Sequence, residues 1–151
     1  MKAKHFVIQE LVPPRVYAAR GEKAWELIDD RLIITLDQLR EDHGPIIINT
    51  WHNKKLVSGY GSRTQSGLRT YEFWTDQHGI EDGMEKFNKS FSQHKYGRAF
   101  DAFFAEHNAE TIREYVRNNP DKYSFLKGIE TGVRWFHGDV RNCDTRTEFP
   151  A

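Results

Sequence analysis

Ser92-Gln93-His94-Lys95-Tyr96-Gly97-Arg98-Ala99-Phe100-Asp101 is the stretch from which the rest of the chain can be read. A histidine and an aspartate stand seven positions apart in it, with Gly97 and the small Ala99 between them, where backbone can approach closely. From Arg98 to Phe104 the pattern alternates enough for a strand. Asp101 is set among Phe100, Phe103 and Phe104, and a carboxylate amid aromatics is costly unless a cation, metal or arginine, neutralises it. Spacing alone is weak support. His137 and Asp144 show the same separation, and a loop histidine bonded to backbone gives it equally well.

Downstream, Trp135-Phe136-His137-Gly138-Asp139 again sets ligand-type side chains inside an apolar strand. In a strand, His137 and Asp139 project to one face. Two histidines and one aspartate leave a fourth position of a tetrahedral Zn²⁺ open for water, the arrangement a catalytic zinc site requires. Lys127 to Glu130 and Arg134 to Val140 read as two short strands joined by a turn at Thr131-Gly132.

Upstream, Trp25, Ile28, Leu32, Leu36 and Leu39 recur at three- and four-residue steps, predicting one helix or two abutting ones from Gly21 to His43. Gly44 and Pro45 end it, and Ile46-Ile47-Ile48 reads as a short buried strand. Asn49 to Asn88 lacks clean periodicity and reads as long loops with short elements. Ala109 to Arg117 predicts a helix with Ile112, Tyr115 and Val116 inward. Helices and strands segregate, which predicts an α+β fold with a small antiparallel sheet flanked by helices. A length of 151 residues suits a single domain, 1–151.

Composition narrows the function. Lys+Arg and Asp+Glu both number 22, so the net charge is zero and no cation excess argues for a nucleic-acid partner. Apolar runs such as Leu32-Ile33-Ile34 are far too short for membrane insertion. Phe6-Val7-Ile8 stops at Gln9-Glu10 and makes no signal-peptide core, which predicts synthesis in the cytoplasm. The single Cys143 excludes an internal disulfide and, in its polar tail, reads as inert. With seven histidines beside it, any bound metal takes His and carboxylate ligands rather than thiolate. His5, His43, His52, His78 and His107 lack paired ligand spacing and read as surface or capping residues. Glu106-His107 does not extend to an H-E-x-x-H helix, and no phosphate-binding loop of the G-x-x-x-x-G-K type occurs.

The string S-x-H-x-x-G-x-A-x-D over Ser92–Asp101, with the later Trp-Phe-His-Gly-Asp, resembles the zinc D-Ala-D-Ala carboxypeptidases. That group includes phage L-alanyl-D-glutamate endolysins and shares the fold of hedgehog signalling domains. Ser58-Gly59-Tyr60-Gly61-Ser62-Arg63 is similar to the family's S-G-Y-R-S segment with one residue inserted, and the likeness spans about Ile46 to Val140. It implies a hedgehog/DD-peptidase-like fold, His94, Asp101 and His137 as zinc ligands, and a glutamate or aspartate as general base. The family often places that base three residues before the last histidine, where Arg134 stands and cannot accept a proton. Glu130, across the turn, and Asp139 are the alternatives, with an inactive site as the third. Asp139 also suits an orienting role beside a ligand. Arg63, or else Arg69, would clamp a substrate carboxylate or steady the tetrahedral intermediate. Ser92, Arg69 and Trp135 are candidate substrate contacts, although Ser92 equally suits a turn.

The expected activity is zinc-dependent hydrolysis of D-residue-containing peptidoglycan stem peptides by a phage lysis enzyme or virion-associated lysin. Its place would be the host cytoplasm on synthesis, then the cell wall, or else the virion beside other virion proteins. The alternative, motivated by Arg134, is a non-catalytic virion structural or binding protein that keeps the fold and the metal site.

Overall fold

The apolar stripe of the first long helix is buried, and its start is cut by a change of helix type. In the computed structural model, which describes residues 1–151, Gly21–Leu27 forms a 3₁₀ helix. A separate α-helix follows at Asp30–His43, capped by the Asp29 carboxylate accepting from the Arg31 N–H. Including the short Pro14–Arg20 before it, which double proline at 13–14 conceals in the sequence, the helices are α1 (Pro14–Arg20), α2 (Asp30–His43), α3 (Lys54–Tyr60), α4 (Glu72–His78), α5 (Ile80–Lys89) and α6 (Ala109–Asn118). The strands are β1 (Ile46–Ile47), β2 (Ala99–Phe104), β3 (Gly128–Thr131), β4 (Phe136–Asp139) and β5 (Thr147–Pro150).

The strands form one five-stranded sheet in the order β1-β2-β4-β3-β5. The first four in that order pair antiparallel as expected, but β5 lies parallel to β3, so the sheet is mixed. The tail is drawn in by Arg146, whose guanidinium donates to the carbonyls of Lys122, Tyr123 and Leu126 at 2.6–2.9 Å. The expected loops of residues 49–88 contain α3, α4 and α5. These helices are short, and Gly83 sits in the middle of α5, which weakens the helical signal. It is there for packing: a Cβ at Gly83 would fall 2.4 Å from Thr75 Cα on α4.

One face of the sheet builds the core. Phe100, Phe104, Phe136 and Ile129 join the α2 stripe and Ile112 and Val116 of α6 in a single buried cluster. The opposite face carries Asp101, His137 and Glu130 in one cross-strand row. Alternation therefore takes Asp101 away from Phe100 and Phe104 and leaves it beside Phe103. His43 corrects its surface assignment: it is buried, with Nε2 2.9 Å from the Tyr123 hydroxyl. No helix is long and apolar enough to cross a membrane.

Candidate metal centre

Neighbouring strands bring Asp101 and His137 face to face, and a 3₁₀ turn at Gln93–Tyr96 supplies His94. That turn ends on Gly97 in the left-handed region at φ 65°, where a Cβ would lie 2.0 Å from the Leu27 carbonyl oxygen. Gly97→Ala is expected to cost about 2 kcal/mol or more, from left-handed strain plus the clash. Chemical denaturation checks this, and an unchanged midpoint counts against the docking described.

The ligand atoms of His94, Asp101 and His137 all lie within 4.8 Å of one another, and the three residues are buried. The outer partners decide which ring nitrogens face inward. His94 Nδ1 is 2.7 Å from the Gly67 carbonyl, which can only accept, so Nδ1 carries the proton and Nε2 a lone pair. Burial lowers the His94 pKa, which keeps that ring neutral. His137 Nε2 lies 3.2 Å from Asp139 Oδ2, leaving Nδ1 to face the centre. The two inward nitrogens are 3.3 Å apart, His94 Nε2 is 3.4 Å from Asp101 Oδ2, and the third side, His137 Nδ1 to Asp101 Oδ1, is a shorter 2.8 Å hydrogen bond that a metal would replace. A tetrahedral metal with ligand distances of about 2.0–2.1 Å has edges of about 3.3–3.4 Å. The buried group can hold a metal ion.

Asp139 is a fixed orienting group. Burial opposes its charge, but the Arg141 fork and His137 hold its pKa down to about 2. Arg141 Nε and an NH₂ group reach its two oxygens at 2.7 and 2.6 Å. The row needs a glycine on the next strand, since a Cβ at Gly128 would sit 2.3 Å from Asp139 Oδ2.

The His137 proton couples metal binding to pH. Burial lowers its pKa, but the hydrogen bonds to Asp101 (2.8 Å) and Asp139 outweigh burial and raise it to about 9. Near neutral pH the metal-free ring holds both protons, so Nδ1 must lose one to ligate. Binding of a divalent metal ion near neutrality is therefore expected to release about one proton here, with affinity rising up to about tenfold per pH unit until roughly that pKa is passed. Calorimetry in buffers of different ionisation enthalpy checks it, and a buffer-independent heat contradicts it.

The two arginines trade places relative to expectation. Arg63 is spent on the scaffold, donating to the Ile48 carbonyl at 2.8 Å and the Asp101 carbonyl at 2.7 Å while lying over Phe103. It lines a neighbouring hollow rather than the cavity over the triad, so the clamping role expected of it is not available there. Arg69 is in the cavity, donating to Asp101 Oδ2 at 2.6 Å and lying 4.0 Å from the Phe73 ring centroid. Glu130 adds to the field on Arg69 and borders the same cavity, half-buried, opposite His137. Arg113 of α6 fixes the loop after it, donating to the carbonyls of Glu130, Val133 and Trp135. Ser92 and Trp135, the candidate substrate contacts, line the cavity, the indole Nε1 being buried without a partner. Arg134 is exposed and outside it. Arg141, Phe73, Phe91 and Phe149 also line it and were not anticipated. Only Arg141 had a usable signal, two residues after Asp139 in the same run.

None of the family models, curated proteins or solved structures compared with the chain matches it.

Proposed function

We propose that the chain is a zinc-dependent peptidase acting on D-residue-containing peptides of the bacterial cell wall. The observation that carries this reading is the pair of opposed ring nitrogens, 3.3 Å apart, with the Asp101 carboxylate beside both on the floor of an open cavity. Two nitrogens and one oxygen suit Zn²⁺ and leave it one open position, whereas Ca²⁺ and Mg²⁺ prefer all-oxygen sites. A bound Zn²⁺ supplies Lewis acidity that makes water a better nucleophile and polarises a carbonyl.

The chain's own groups then divide the remaining work. Asp139 has both oxygens engaged and a pKa of about 2, so it is a poor proton acceptor. Glu130, opposite His137 and bordering the cavity, is the better base. Arg69, held on Asp101 Oδ2, keeps that carboxylate in place and adds positive charge to the cavity. The cell-wall substrate, the hedgehog/DD-peptidase-like fold and a role as phage lysis enzyme or virion-associated lysin are supported by the resemblance of Ser92–Asp101 and Trp135–Asp139 to the D-Ala-D-Ala carboxypeptidases.

The test is release of new amino groups from purified peptidoglycan by zinc-loaded protein. The expected result is release that a chelator stops and added zinc restores. Equimolar zinc with no release would instead make the chain the non-catalytic virion module.

A further inference from the structure

The geometry points to an endopeptidase: a groove that seats an internal stretch of peptide running past the metal triad on both sides, not a chain end held by its carboxylate. This deepens the peptidase reading above and rests on it. Beside the cavity over the triad, about 430 Å³, lies a second hollow of about 410 Å³, and the two share Arg69, Phe73, Asp101 and Trp135 as lining. Asp101 and Arg69 thus form a waist. His94 and His137 lie on one side of it, and Ser62, Thr64 and Ser66 on the other.

Seating a terminal carboxylate calls for a free cation, best a bidentate arginine fork. Each arginine bordering the groove already holds an acceptor. Arg63 is on the Ile48 and Asp101 carbonyls, Arg69 on the Gln65 carbonyl and the Asp101 carboxylate, and Arg141 on both oxygens of Asp139. Turning Arg69 or Arg141 to a substrate would strip a counter-charge from a group in or beside the triad. No lysine borders either hollow. Each hollow instead carries a carboxylate without an ion pair, Glu130 in one and Asp76 in the other, and both repel a terminal carboxylate. The neutral hydroxyls of the second hollow suit the amides of a continuing backbone.

The test compares a stem pentapeptide, L-Ala-D-Glu-L-Lys-D-Ala-D-Ala, with its C-terminal amide. Zinc-loaded Glu130→Gln protein is titrated with each, followed by tryptophan fluorescence, and zinc-loaded wild type is scored for products by mass spectrometry. The expected result is affinities within about twofold of each other and cleavage of an internal bond in both peptides. Free acid binding roughly tenfold or more tightly, the worth of a charge-assisted clamp, overturns the inference, as does release of the last D-Ala from the free acid alone. Binding of neither peptide overturns it too. Equal binding without hydrolysis by the wild type keeps the two-sided groove and removes the peptidase reading. Thr64→Trp, which fills the second hollow away from the triad, is expected to leave zinc content unchanged and weaken binding of both peptides about tenfold; unchanged binding overturns the inference.

Discussion

His94→Ala is expected to leave the protein unable to retain zinc through dialysis, with affinity reduced more than about 100-fold. Partners of a metal ligand are themselves worth about 10- to 100-fold in affinity, and here the ligand itself is lost. Only two ring nitrogens face the centre, 3.3 Å apart, so the remaining pair of Asp101 and His137 cannot define a tetrahedral site. The substitution also leaves the Gly67 carbonyl unpaired and opens a small cavity, costing about 2–4 kcal/mol. Circular dichroism therefore accompanies the zinc measurement. A folded variant that keeps equimolar zinc refutes the triad.

Glu130→Gln separates chemistry from binding. The side chain is isosteric, its residue is paired with His137 across the strands, and its carbonyl is held by Arg113 at 3.0 Å. Zinc content is expected to be unchanged while peptide hydrolysis falls by about 10²–10⁴-fold, the usual contribution of a positioned general base. Asp139→Asn is expected to behave in the opposite manner, lowering zinc affinity about 10- to 100-fold through the loosened His137 ring. Atomic absorption and a peptide-release rate on the same preparations decide between them. A Glu130→Gln protein as fast as the wild type removes Glu130 as base.

What the sequence revealed and what it hid follow from the range of the forces involved. The α2 stripe was legible because four turns of apolar residues report one buried face. Asp101 and His137 were legible because polar groups interrupt two aromatic strands, and His94 because it stands just ahead of Gly97 and Ala99 in the run that leads to Asp101. The choice between Arg63 and Arg69 was not. It depends on the path of the 61–70 segment, which Thr50 and Asn49 fix from a distant part of the chain through the Gly61 carbonyl and the Arg63 and Ser66 N–H groups. The turn at Thr131-Gly132 was visible, but the register that sets Glu130 opposite His137 required Arg113 from α6 to gather the loop carbonyls. β5 was hidden for a similar reason: Thr147–Pro150 is mostly exposed and ends in proline, and it joins the sheet next to the tether made by Arg146. Local pattern thus carried the ligands, and long-range hydrogen bonds to backbone carbonyls carried their partners.

The most direct measurement is zinc-edge anomalous scattering from crystals grown with equimolar Zn²⁺. One strong peak is expected within bonding distance of His94 Nε2, Asp101 and His137 Nδ1. A peak elsewhere, for example on exposed His78 or Cys143, with none at the triad would contradict it.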